Sequence, residues 1–166
     1  MPRKGDGTLD RVVGVTPLRY MAPGWGVGEL WLDGRTVVWH EPPRIGVAPD
    51  DNPDDPLVER LLAYFAGEPA GFNDVELDLE DLTDFQLRLA DALRAVPRGE
   101  TVSYGELAAL AGRPRAPRAA GSFCARNRLA IFVPCHRVVA SNGPGSYGEL
   151  GLEYKLRLLA LEGWTP

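Results

Sequence analysis

The sequence predicts an α/β protein in two parts, a small antiparallel sheet with one helix over residues 1–80 and a helical subdomain with a helix-turn-helix over residues 81–166. Three observations predict this. Two β-rich runs meet at Asp33-Gly34, a strong two-residue hairpin signal. The second half carries two helix-start signatures, Thr83-Asp84-Phe85-Gln86 and Ser103-Tyr104-Gly105-Glu106. A chain of 166 residues is also the size of one compact domain or two small ones.

The hairpin strands are Val27 to Leu32 and Arg35 to His40, and Val12 to Val15 is the expected third strand. Ala48 to Pro56 is too rich in proline and aspartate for regular structure. It lacks the central glycine and closing glutamate of a calcium loop, and reads as a solvated turn that starts a helix over Leu57 to Ala66. Phe85, Leu89, Leu93 and Val96 then follow at helical spacing until Pro97. A short helix runs from Tyr104 toward Gly112, and another from about Arg115 to Asn127. Ile131-Phe132-Val133 reads as a short buried strand ended by Pro134. A last helix, Leu152 to Glu162, places Leu152, Leu156 and Leu159 on one face. His40 ends a strand without an identifiable partner and reads as structural.

Composition is that of an ordinary globular protein, 45% apolar and 25% charged. No apolar run approaches the ~18 residues of a membrane span, and Met1 to Gly7 lacks the apolar core of a signal peptide. Two cysteines cannot staple a secreted scaffold, and two histidines leave little for a metal site. The expectation is a cytoplasmic protein with no metal, no cofactor and no membrane partner. The net charge of −5 is unevenly spread. Glu41 to Asp84 holds 13 acidic residues against two arginines, whereas Leu107 to Gly148 holds six arginines and no acid. The second half suits an anionic polymer; the first does not.

The pair of short helices from Tyr104 to about Ala125 forms a helix-turn-helix pattern. Its second helix offers Ala116, Ala119, Ala120, Gly121 and Ser122 between arginines, with no Asn or Gln before Asn127 to read adenine edges. That suits non-specific backbone binding, although a plain helical hairpin with a solvated arginine face has the same pattern. Pro134-Cys135-His136-Arg137 is the sharper signal. A free thiol is only a few per cent thiolate at neutral pH, and a neighbouring imidazole held by a carboxylate can take its proton. On an extended strand the two side chains point apart, so a bridging water or a turn at Pro134 is required. A Cys-His pair is also compatible with an inert buried thiol.

Ile131-Phe132-Val133-Pro134-Cys135-His136-Arg137-Val138-Val139 resembles the active-site strand of the O6-alkylguanine-DNA alkyltransferases. Arg98 to Ala108 resembles that family's approach to its helix-turn-helix, Pro117-Arg118-Ala119-Ala120-Gly121 its recognition helix, and Leu158 to Gly163 its C-terminal helix. The resemblance covers Phe85 to Trp164 and, more loosely, Leu57 to Asp78 through Tyr64-Phe65-Ala66-Gly67 and Phe72. It implies a ribonuclease-H-like N-terminal piece and a repair protein that flips an O6-alkylguanine from duplex DNA. The alkyl group would pass irreversibly to Cys135, once per molecule. His136 would activate the thiol through a water, Glu162 would orient the imidazole, and Asn127 would brace the turn carrying Cys135. Tyr104 would push the 3′ phosphate and donate to the flipped base, and Arg118 would fill the vacated stack from the minor groove. Ala119, Gly121 and Arg126 would line the DNA. Tyr147 would cover the base, the Gly148 N–H would reach the guanine oxygen, and the carbonyls of Cys135 and Val138 would read the exocyclic amine. The implied partner is double-stranded DNA, bound largely without regard to sequence by a monomer.

The chain departs from the family pattern in two places. Arg128 stands where a proline usually follows the bracing asparagine, and the loop after Tyr147 reads Gly148-Glu149-Leu150-Gly151 instead of carrying paired glycines. Cys124, on the second helix, reads as a packing residue rather than a second acceptor. Two other classes compete: a non-catalytic lesion binder, which would lack the acceptor cysteine, and a helix-turn-helix regulator, which would carry base-reading side chains and a dimerisation element.

Overall fold

The structure is a computed structural model that describes residues 15–166. The chain divides into two compact units: one holds the chain up to Asp78 together with Arg128–Ala130, the other Leu79–Asn127 and Ile131–Pro166.

In the first unit, β1 (Leu18–Ala22), β2 (Gly26–Asp33) and β3 (Thr36–Arg44) form an antiparallel sheet in that order. The Asp33-Gly34 hairpin is where expected, with Gly34 at φ 59°. The strand expected at Val12 to Val15 falls, apart from Val15, outside the described residues, and Val15 is in no strand; the described sheet takes its third strand from β1, which alternates Tyr20 and Ala22 inward with Arg19 and Met21 outward. Tyr20 faces Gly28 on β2, where a Cβ would come within 2.4 Å of its ring. Only glycine lets that ring cross the strand. Helix α1 (Pro56–Phe65) starts on Asp55, whose carboxylate accepts from the Leu57 and Val58 N–H groups, and packs Val58, Leu61, Tyr64 and Phe65 inward. Beyond β3, the Val37 N–H donates to Glu76 O at 2.9 Å and the His40 N–H to Arg128 O at 2.9 Å. That second bond is why three residues from late in the chain belong to this unit.

The second unit contains α2 (Asp84–Arg94), β4 (Val102–Ser103), α3 (Tyr104–Leu110), α4 (Pro117–Ala125), β5 (Val138–Val139) and α5 (Gly151–Leu161). Both capping boxes form: Thr83 with Gln86, and Ser103 with Glu106. Helix α4 is shorter than expected because Pro117 occupies its first turn, where a missing N–H costs nothing. Strands β4 and β5 pair in parallel, Val102 opposite Val138.

Two expectations fail here. Ile131-Phe132-Val133 is buried but is a turn: Ile131 has φ 75°, which no strand accommodates, and among the described residues no strand pairs with it. On α5, Leu152 and Leu156 are exposed, whereas Lys155, Leu158 and Leu159 are buried. The buried stripe is rotated because the Lys155 ammonium finds carbonyl partners inside.

Candidate active site

The segment after Ile131 is shaped by one proline and one asparagine. Pro134, at φ −81° and ψ 67°, is the centre of an inverse γ-turn closed by the Cys135 N–H on Val133 O at 2.8 Å. Cys135–Arg137 then form a single 3₁₀ turn, with the Val138 N–H donating to Cys135 O. The turn anticipated at Pro134 is therefore present, and the opposed side chains of an extended strand do not arise. Asn127 spends both amide hydrogens here, donating to Val133 O at 2.8 Å and to Cys135 Sγ at 3.3 Å.

His136 and Glu162 are buried, with Nε2 and Oε1 2.9 Å apart. Arg137 grips the same carboxylate through Nε, at 2.9 and 3.2 Å, and through Nη2 at 2.7 Å, while its Nη1 donates to Val96 O at 2.7 Å. Burial alone would raise the Glu162 carboxyl, but the hydrogen bonds from Arg137 and His136 outweigh it and hold the group at about 2. Glu162 is therefore an acceptor, so His136 carries its proton on Nε2 and its lone pair on Nδ1. Burial lowers the His136 pKa against the pull of Glu162, leaving a neutral imidazole able to accept a proton. Burial pushes the Cys135 thiol well above its ordinary range; Cys124 beside it adds to the rise, and Asn127 and Lys155 oppose it. At rest the sulfur is a thiol.

Sequence reasoning missed Arg137 and Lys155 in this site. Arg137 was counted in the basic surface, yet its side chain is only 14% exposed and is committed to Glu162. Lys155 is fully buried, donating to Val138 O at 2.5 Å and Ser146 O at 3.1 Å, with Nζ 6.0 Å from the centre of the Tyr104 ring. The signal for it was a cation three residues from both Leu152 and Leu158, at helical spacing on an otherwise apolar stripe.

Tyr104 opens α3, half-buried, with burial keeping its hydroxyl protonated; a methyl at Gly121 would touch its ring at 3.9 Å. Tyr147 lies edge-on to His136, ring centres 6.4 Å apart, and parallel to Tyr154 at 6.3 Å. The Val138 carbonyl keeps one lone pair beyond the Lys155 bond. Cys135, His136, Glu162, Asn127, Tyr104, Val138 and Tyr147 are thus gathered in one neighbourhood. Arg118, Ala119, Arg126 and Gly148 are exposed. Arg126 and Ala119 line an open groove with Thr83, Phe85 and Arg113. Arg128 donates to Asp78 O at 2.9 Å, so the exposed arginines among those counted are Arg113, Arg115, Arg118 and Arg126. Among the described residues no cluster of three or more His, Cys, Asp or Glu side chains could hold a metal ion, and no helix is long and apolar enough to cross a membrane.

Fold and site together define a helix-turn-helix protein with a buried, asparagine-held thiol beside a Glu–His pair. Residues 84–164 match the DNA-binding domain of the 6-O-methylguanine DNA methyltransferases. The methylated-DNA–protein-cysteine methyltransferase of Mycobacterium bovis is 48% identical over 156 residues, covering 93% of this chain and 90% of that protein. The crystal structure of the Mycobacterium tuberculosis O6-methylguanine methyltransferase superposes with a TM-score of 0.76 at 38% identity, covering 92% of this chain and 95% of that one. The M. tuberculosis OGT crystallised in complex with DNA superposes at 0.69 with 42% identity, over 82% of this chain and 86% of that one. This chain belongs to the methylated-DNA–protein-cysteine methyltransferase family.

Proposed function

We propose that this chain repairs duplex DNA by moving the alkyl group of an O6-alkylguanine onto Cys135 Sγ, once per molecule. The observation that carries the reading is the Asn127–Cys135 contact set beside the His136–Glu162–Arg137 chain. In the step, an Sγ–carbon bond forms as the carbon–O6 bond breaks. The thiol proton passes through a water to His136 Nδ1, and Glu162, already ionised, stabilises the imidazolium that results. Tyr104, which stays protonated, donates to the departing guanine. Because the buried thiol is neutral at rest, proton loss belongs to the reaction itself, which protects the sulfur between encounters. The product is a thioether that no group here can cleave.

The remaining roles follow the same reading. Extruding a base costs a few kcal/mol, least for a damaged one, so flipping itself selects lesions. Arg118 on the exposed face of α4 fills the gap from the minor groove, Ala119, Gly121 and Arg126 run along the backbone, and small side chains let α4 approach closely. Tyr147 and the Gly148 N–H close over the base, and the Cys135 and Val138 carbonyls accept from its exocyclic amine. The protein acts as a monomer. Intact-protein mass spectrometry after mixing with a duplex containing O6-methylguanine tests this: a gain of one methyl mass, limited to one equivalent and absent in Cys135→Ser, is expected. Tight lesion-dependent binding without mass gain would show a non-catalytic lesion binder instead.

A further inference from the structure

Arg128 follows Asn127 directly in the chain, at the position that lacks the family's usual proline. A proline ring would hold that backbone on its own. An arginine leaves φ free, so the hold must come from outside the segment. The bonds that supply it lie along one edge of β3, within the first unit. At Val37 the strand takes residues 76–78 beside it, the Val37 N–H donating to Glu76 O and the Asp78 N–H to Val37 O, each at 2.9 Å. At His40 it takes residues 128–130, the His40 N–H donating to Arg128 O at 2.9 Å and Nδ1 to Ala130 O at 2.7 Å. Both segments run parallel to β3, so the end of the first, Asp78, meets the start of the second, Arg128. Arg128 Nη2 closes that junction by donating to Asp78 O at 2.9 Å. A guanidinium has the reach and the fixed fork of donors for such a staple, and its charge strengthens the bond.

The stapled segment is flanked by residues that shape the site. Asn127 precedes it, with its amide on Val133 O and Cys135 Sγ, and Ile131 follows it at the left-handed φ of 75°. We propose that Arg128 is a positioning residue for alkyl transfer: by fastening the start of this segment to the Asp78 carbonyl, it keeps the Asn127 amide seated on the Cys135 sulfur. The His40 ring reaches only Ala130, at the far end of the segment. The hold next to Asn127 is one main-chain bond and the Arg128 side chain. That side chain is half-buried and bonded within its own unit, so its work is on the geometry of the thiol rather than on a phosphate. A hydrogen bond to sulfur favours the thiolate over the thiol, so an Asn127 amide that wanders makes the proton harder to remove. The effect on transfer rate rests on the alkyl-acceptor reading; the effect on the thiol does not.

The experiment compares wild type with Arg128→Met, which keeps the stem and loses the donors, and with Arg128→Lys, which keeps a donor. Arg128→Ala is a second donor-less variant. All are full chains shown by thermal melting to be folded. The pH profile of Cys135 alkylation by iodoacetamide is read by peptide mass mapping. Single-turnover methyl uptake is read from an O6-methylguanine duplex and from a free O6-alkylguanine base, and affinity for the duplex is measured separately. In Arg128→Met the alkylation profile is expected to move to higher pH. Uptake should slow about tenfold on both substrates, with duplex affinity within about twofold of wild type. Arg128→Lys should restore most of the rate and the profile. Weakened duplex affinity with an unchanged free-base rate would make Arg128 a phosphate contact and overturn the proposal. So would an unmoved alkylation profile, because a residue that only stabilises the fold lowers the melting temperature without touching the thiol. Wild-type protein that takes up no methyl would instead sink the alkyl-acceptor reading, leaving the alkylation profile to judge the positioning.

Discussion

The molecule holds a buried histidine in each unit, and the two are built for opposite ends. His40 sits between neutral partners, Tyr20 Oη at 2.7 Å from Nε2 and the Ala130 carbonyl at 2.7 Å from Nδ1. Burial drives its pKa down to about 4, outweighing the upward pulls of the Ala130 carbonyl and of Glu41. His136 is equally buried, but its partner is a carboxylate that Arg137 keeps ionised. A histidine clamped by neutral groups resists a proton and serves as a cross-brace, here tying β3 to Arg128–Ala130. One backed by an anion can accept a proton inside the protein. Burial alone makes neither; the charge of the second partner decides.

Glu162→Gln is the most damaging way to break this contrast. It leaves Arg137 without its counter-charge and removes the support for an imidazolium. An unfolding free energy lower by about 3–5 kcal/mol is expected in denaturant titrations, with transfer to Cys135 slowed about 10²-fold or more. The native pair also sets an acid limit: Glu162 stabilises the fold fully above its ordinary pKa of 4.5, and that share is lost as pH falls toward about 2. His40→Gln breaks the other side. Because the folded state holds His40 neutral down to about 4 while the unfolded chain protonates near 6.5, wild-type stability drops as pH falls through that window. His40 contributes roughly 3 kcal/mol of that fall. The variant should lose this component of the pH dependence while keeping its transfer rate near neutral pH; an unchanged stability profile would remove His40 from the account.

Lys155→Met sharpens the comparison from the cation's side. Lys155 holds the Cys135 thiol down against burial, so its loss should shift the pH profile of transfer to higher pH and slow transfer at neutral pH. A profile that does not move would leave Lys155 only a tether for Val138 and Ser146. The mildest effect on chemistry is expected from Arg118→Ala, which lies outside the buried site. Repair of duplex should weaken far more than reaction with a free alkylguanine base, and equal losses on both substrates would end the finger role.

How much of this was legible depends on how local each feature is. The hairpin at Asp33-Gly34 and both capping boxes were readable because each is satisfied within four residues of its own chain. Pro134-Cys135-His136 announced the thiol and its neighbour, and a turn at Pro134 was the anticipated way to bring them together. The strand expected at Ile131–Val133 failed because burial and β-propensity cannot reveal a left-handed φ or a missing partner strand. Helical periodicity places Leu152 and Leu156 inward because it counts apolar residues and cannot foresee two carbonyls that satisfy a buried ammonium.

By itself, then, the sequence determined the fold class, the caps and hairpin, the reactive cysteine motif and its family likeness, all of which are written in short contiguous stretches. Only the tertiary structure decided which charges are buried and with whom: that Arg137 serves Glu162 rather than a phosphate, and that Lys155 points inward. The reason is physical. Backbone conformation answers to neighbours along the chain, whereas the state of a charge or a thiol is set by desolvation and by partners up to dozens of residues away.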